Sequence, residues 1–174
     1  MSKIHLKKEF SKIRTVKNRY FYPLNSDNMR KQDLAEGIKV ILSGRLTMSN
    51  ITQKFEDIFK KKLNLKYSLM LNSGSSANLL AFQCLTNPYR KKRLKPGDEV
   101  LIPAICWSTS LWPIIQSGLK PVLVDVDQDT FNISLKDLEL KISKKTKALM
   151  LVHVLGNSTN MKKLINIVKK RKLI

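Results

Sequence analysis

The sequence predicts an α/β fold: a mostly parallel sheet with flanking helices, preceded by an N-terminal helical segment. Three observations predict it. From Tyr67 onward, short apolar runs alternate with segments of helical period, the pattern of repeated βαβ units. The runs are joined by connections too long for hairpins, so successive strands lie parallel through right-handed crossovers. The 174 residues are 43% hydrophobic, which argues against disorder and is enough to build a core. The length suits one domain or a piece of a larger one.

Taken in order, Met1–Tyr20 reads as a basic arm with weak periodicity. Phe21-Tyr22-Pro23-Leu24 reads as extended, since a residue before proline avoids the α region. Asn25, Ser26, Asp27 and Asn28 offer helix N-caps. Leu34, Ile38, Ile41 and Leu42 then recur at helical spacing until Ser43-Gly44. A second helix starts near Ser49-Asn50, with Ile51, Phe55, Ile58, Phe59 and Leu63 as its apolar face. Tyr67–Leu71 is a strand candidate. Ala77–Leu85 is a helix with Leu80, Cys84 and neighbouring apolar residues facing inward, so the Ser73–Ser76 run lies on a strand-to-helix turn.

Lys95-Pro96-Gly97-Asp98 is a turn before the strand Glu99–Ile102, which ends at Pro103. Ser108–Ser117 reads as a helix that Pro113 either interrupts or opens. Strands follow at Pro121–Val126 and Thr146–His153, separated by the amphipathic stretch Leu135–Ile142. Met161–Lys172 is a last basic helix, and Leu173-Ile174 begins another strand.

Composition narrows the function classes. There are 33 Lys+Arg against 13 Asp+Glu, a net charge of +20. Such charge invites a nucleic-acid reading. The basic residues are mostly lysine, 26 against 7 arginines, and planar bidentate recognition of bases and phosphates favours arginine. The charge runs therefore read as solvated faces. After Glu139 there are ten basic residues and no acidic one, as in a chain cut before its acidic partners. No run of 18 apolar residues occurs, and Met1–Tyr22 has no apolar signal core. Cys84 and Cys106 have neither metal nor disulfide spacing. A cytoplasmic protein is the expectation.

Three places carry candidate chemistry. A strand, then Gly74, Ser75 and Ser76, then a helix makes a phosphate cradle: unpaired N–H groups at a helix start face the anion. The same residues would equally serve an ordinary capped turn. Trp107 stands just past a strand's C-terminal end, where open α/β sheets bind ligands. It offers a stacking plane, or a core aromatic. His153 and Asn157 follow another strand and could reach the same edge, although a lone histidine commonly has a structural partner. No hydrolytic triad can be placed. Asp125, Asp127 and Asp129 alternate like metal ligands but lack the glycine and distal glutamate of a calcium loop, so no metal site is assigned.

The order of several segments resembles one family. They are Ser43-Gly44-Arg45-Leu46-Thr47-Met48, Phe55-Glu56, Asn72-Ser73-Gly74-Ser75-Ser76-Ala77-Asn78, Leu94–Val100, Ile102-Pro103-Ala104, Trp107-Ser108-Thr109, Gly118–Val122, Val124–Asp127 and Leu155-Gly156-Asn157. Together they look like the DegT-type, pyridoxal-phosphate-dependent sugar aminotransferases, which have the type I aminotransferase fold. The Trp-Ser-Thr and Leu-Gly-Asn wording is most similar to the branch of 3-dehydratases acting on nucleotide-linked 4-keto-6-deoxyhexoses. Ser49 and Ser158 depart from the glycine and proline common in the family.

The resemblance implies that residues 21–174 are the N-terminal portion of the family's large domain. It implies pyridoxal or pyridoxamine 5'-phosphate as cofactor, with Gly74, Ser75 and Ser76 at its phosphate. Trp107 would stack on its ring, and Asn157 would give a polar contact to that ring. It further implies a nucleotide-diphosphate sugar as substrate, a homodimer, and a place in surface-polysaccharide or O-antigen biosynthesis. The aspartate for the pyridine nitrogen would follow the strand at Leu173-Ile174. The deciding lysine (aminotransferase) or histidine (dehydratase) would come later still. The expectation is therefore a truncated stretch with no catalytic residue of its own. Two other readings are a non-catalytic partner subunit and a basic nucleic-acid-binding module.

Overall fold

A computed structural model describes residues 29–174. The expectations for the basic arm, Phe21–Leu24 and the caps at Asn25–Asn28 lie outside the described residues. The chain divides into two compact units, Met1–Met70 and Leu71–Ile174.

The described part of the first unit holds helices α1 (Lys31–Leu42) and α2 (Asn50–Lys62). Arg30, at the N-cap of α1, donates to Asp33 from main chain and side chain alike. Its backbone N–H donates to the Asp33 carboxylate at 2.9 Å, and its guanidinium donates to the same group. These bonds favour the ionised acid and hold Asp33 below its usual range. Gly44, at φ +69°, supplies the left-handed residue past α1. Ser49 starts α2 by accepting the Ile51 N–H at 3.1 Å and so acts as its cap. The apolar face of α2 is open: Ile51, Phe55, Ile58, Phe59 and Leu63 are all exposed. Tyr67–Leu71 also differs from expectation, since it joins no ladder among the described residues. An extended apolar run becomes a strand only with a neighbour for its backbone groups. Here the Met70 N–H donates instead to the Glu56 carboxylate at 2.8 Å.

The second unit is built on three parallel strands, β1 (Glu99–Pro103), β2 (Lys120–Val124) and β3 (Thr146–Leu149), in the order β2-β1-β3. Helices α3 (Gly74–Thr86), α4 (Ser108–Gln116), α5 (Leu135–Lys141) and α6 (Met161–Arg171) surround them. Side chains alternate along β1. Val100 and Ile102 join Phe82 of α3 and Ile114 of α4 on one face. Leu101 joins Leu138 of α5 and Leu164 of α6 on the other. A parallel sheet covered on both faces needs this pattern. The expected inward face of α3 is corrected. Phe82 is buried, while Leu80 is partly open and Cys84 exposed. This helix is apolar nearly all round, so periodicity could not choose its face.

Two other expectations shift. β3 ends at Leu149 rather than His153; the Met150 N–H still donates to Leu101 O at 2.8 Å before the chain turns away. Pro113 lies inside α4, which continues through it. At the sheet edge, Ile174 bonds on both sides to β3: its N–H to Lys147 O, and its carbonyl from the Leu149 N–H, each at 2.9 Å. That is a parallel bridge, as expected of Leu173-Ile174.

Candidate functional site

The strand order places the site before any side chain is considered. The connection from β1 leads through α4 to β2, on one side of β1. The connections from β2 to β3, and from β3 to the bridge at Ile174, run the other way. The crossovers reverse between the neighbours β1 and β3, and α4 covers the opposite face from α5 and α6. In open α/β sheets the crevice beyond the strand C-termini at such a reversal is the binding position. The loop after β1 carries Trp107, and the loop after β3 carries His153 and Asn157.

Helix α3 begins on the face that α4 shares. Ser73 is its N-cap, accepting the Ser76 N–H at 3.1 Å and bonding the Ser76 hydroxyl at 3.1 Å. Among the described residues, the N–H groups of Gly74 and Ser75 find no acceptor. A Cβ built on Gly74 would meet nothing within 4 Å, so the space before these donors is open. The first turns of α3 and α4 hold no acid. Indeed residues 67–89 and 100–119 contain no charged side chain, in a chain of net charge +20. Attraction for an anion there comes from aligned peptide dipoles and open N–H groups.

Ser75 and Ser76 line a hollow of about 250 Å³ with Thr109 and Trp112 of α4. Trp107 holds the N-cap position of α4, and the residue is 72% exposed, open enough to stack on a planar ligand. It does not line that hollow; Trp112, which the sequence reading passed over, does. Cys106 beside it packs against the core, and burial pushes its thiol up, away from nucleophile chemistry.

Asn157 sits across the strand reversal. Its position is set by the main chain: its N–H donates to Val154 O at 2.9 Å, and its carbonyl accepts from the buried Asn132 amide at 3.1 Å. Asn132 Oδ1 in turn accepts the Val154 N–H at 3.2 Å. This clamp holds a turn in which Leu155 and Gly156 both have positive φ. The Asn157 side chain is exposed and makes no hydrogen bond among the described residues, which leaves its amide free for a ligand. His153 has the structural partner expected of a lone histidine, its Nδ1 accepting the Thr159 N–H at 3.2 Å. The alternating aspartates form a turn, with Asp127 Oδ1 accepting from Asp129 and Thr130. Among the described residues no cluster suited to a metal ion occurs, and no helix is long and apolar enough to cross a membrane.

Sequence reasoning missed the buried Asn132 clamp. A single asparagine before Ile133 gives no local sign that it reaches 22 and 25 residues along the chain.

Residues 27–174 match the DegT/DnrJ/EryC1/StrS aminotransferase family. The chain belongs to this family. It is 37% identical over 153 residues to a GDP-4-keto-6-deoxy-D-mannose 3-dehydratase of Escherichia coli O55:H7, covering 88% of this chain and 39% of that protein. It is 43% identical over 141 residues to a lipopolysaccharide biosynthesis protein (RfbH) of Salmonella typhimurium, covering 78% of this chain and 31% of that protein. Among solved structures, the E. coli 3-dehydratase with bound hydrated pyridoxal phosphate superposes with a TM-score of 0.82 at 37% identity, over 88% of this chain and 39% of that one. A variant of that enzyme holding GDP-perosamine matches equally well. The chain thus spans well under half the length of these relatives. The expectations of family and of fold class are borne out, as is pyridoxal phosphate as the cofactor of intact relatives.

Proposed function

We propose that this chain forms the cofactor-phosphate and ring-binding portion of a pyridoxal- or pyridoxamine-phosphate-dependent enzyme. Its substrate is a nucleotide-linked 4-keto-6-deoxyhexose, and its reaction is 3-dehydration or sugar amination in surface-polysaccharide biosynthesis. The observation that carries this reading is the open, acid-free start of α3 beside a strand reversal. The fit of the cofactor rests on the same place: two unengaged N–H groups, two serine hydroxyls and open space at Gly74 suit a phosphate dianion.

In this proposal Gly74, Ser75 and Ser76 bind the phosphate, and the glycine lets the main chain approach it closely. Trp107 supplies a flat face that orients the ring and keeps water from one side. Asn157 offers its free amide to the ring's polar edge. When bound, the cofactor supplies the electron sink. No residue of this stretch is assigned as the acid or base of the reaction. The 174 residues alone are therefore proposed to hold cofactor without turnover. The intact protein is proposed as a cytoplasmic homodimer, with neither membrane nor nucleic acid among its partners.

Calorimetry with pyridoxamine phosphate tests the cofactor reading. The amine form is the right probe, because the aldehyde would condense with any of 26 lysines. Binding of pyridoxamine phosphate with none of pyridoxamine is expected. Equal binding of both would remove the phosphate cradle from the account. To separate the two reactions, the reading frame is followed past the codon for Ile174: lysine at the deciding position marks amination, histidine dehydration.

A further inference from the structure

Pro113 leaves a gap inside α4. It has no N–H, so the carbonyl four residues earlier, that of Thr109, loses its α-helical donor. The structure fills the gap from outside the helix: the side-chain amide of Asn78 donates to Thr109 O at 3.3 Å. The placement is specific. Asn78 is four residues after Gly74, hence on the same side of α3 and one turn along. Thr109 is two residues after Trp107, in the first turn of α4. The bond therefore joins the two helix starts that carry the proposed phosphate turn and ring plane. At the far ends of the same helices, Gln83 donates to the Ser117 hydroxyl at 3.4 Å, so the pair is tied at both ends. Neither helix carries a charge that could hold them by ion pairing.

We infer that Asn78 is a positioning residue: its amide replaces the hydrogen bond Pro113 cannot make, and so sets the offset between the Gly74–Ser76 turn and Trp107. This inference rests on the cofactor reading above for its functional half. A ligand that touches both helix starts feels that offset, whereas a bare phosphate feels only the start of α3. Asn78 is not itself assigned to either ligand.

The test uses the whole chain as wild type, Asn78→Ala, Pro113→Ala and the double variant. Pro113→Ala restores a backbone N–H to the Thr109 carbonyl, which makes Asn78 dispensable. Asn78→Ala is expected to weaken pyridoxamine phosphate about tenfold, the loss of roughly one well-placed hydrogen bond. Inorganic phosphate should bind unchanged, and the double variant should regain most of the cofactor affinity. An equal loss for both ligands, no loss, or no recovery in the double variant would each overturn the inference. If wild type binds no pyridoxamine phosphate, the cofactor reading fails, and thermal midpoints decide the tie. A double variant more stable than Asn78→Ala alone upholds it, and additive shifts overturn it. If Asn78→Ala does not fold, a folded double variant is the same rescue seen directly, and an unfolded one contradicts it.

Discussion

Helices α2 and α6 are written almost alike and end up differently. Each has an uncharged capping residue, Ser49 or Asn160, no acid in its first turn and three basic residues in its last. That charge order suits the helix dipole. Each carries a stripe of large apolar residues. Yet α2 buries none of its residues, whereas α6 buries Leu164 in the cluster that holds Leu101 and Leu138 and packs Ile167 and Val168 against that cluster. The difference lies in what each stripe meets. In residues 71–174 a central strand offers an apolar side chain to both faces, and helices settle on it. In residues 29–70 no strand is present, and the stripe of α2 stays open. Amphipathic spacing states that a face is apolar; it does not state what covers it.

Truncation in the two regions should sharpen this contrast most. Leu101→Ala, at a wholly buried position, is expected to cost about 3–5 kcal/mol. Phe55→Ala should cost about 1 kcal/mol or less, since that residue is 47% exposed and loses chiefly its stacking on Phe59. Urea denaturation of both variants checks the pair; similar losses would erase the distinction.

Capping serines give a finer comparison. Ser49→Ala and Ser73→Ala each remove a cap worth about 1 kcal/mol. Only Ser73→Ala should also weaken pyridoxamine phosphate, because only α3 starts at the proposed cradle. A matching loss of affinity in Ser49→Ala would break the assignment.

How far the sequence could be read follows the same division. The alternation of strands and helices after Glu99, the turn at Gly74–Ser76 that opens α3 and the place of Trp107 just past β1 follow from local signals. Glycine, proline and capping residues act within a few positions of themselves. Missing were relations across the chain: the inward face of α3, the lack of a ladder for Tyr67–Leu71, and the Asn132 and Asn78 bonds. All depend on distant partners, 22 to 31 residues away for the Asn132 and Asn78 bonds, which periodicity does not encode.

Acid should expose a likeness between the regions. Asp137 accepts the Asp125 N–H and pairs with Lys141, and these contacts hold its carboxyl below its ordinary 3.8. Asp33 is lowered in the same direction by Arg30. A lowered folded-state value means that the stabilisation is complete above the unfolded value and fades as pH falls through the folded one. Asp137→Asn should therefore destabilise at neutral pH, with the gap to wild type closing below about pH 4. Thermal melts at stepped pH would show it; a gap constant with pH would contradict the pairing.

The smallest expected effect is a gain. Thr159 is buried, and its hydroxyl has no hydrogen-bond partner among the described residues. Thr159→Val removes an unsatisfied polar atom and should raise stability by up to about 1 kcal/mol, read as a higher melting midpoint. A lower midpoint would show that the hydroxyl has a partner in solution.

The most direct test of the central claim is amide NMR of the whole chain titrated with pyridoxamine phosphate. The largest shifts are expected at the N–H groups of Gly74, Ser75 and Ser76, absent with pyridoxamine. Shifts confined to the lysine-rich stretches, with those three amides unmoved, would contradict a phosphate site at the start of α3.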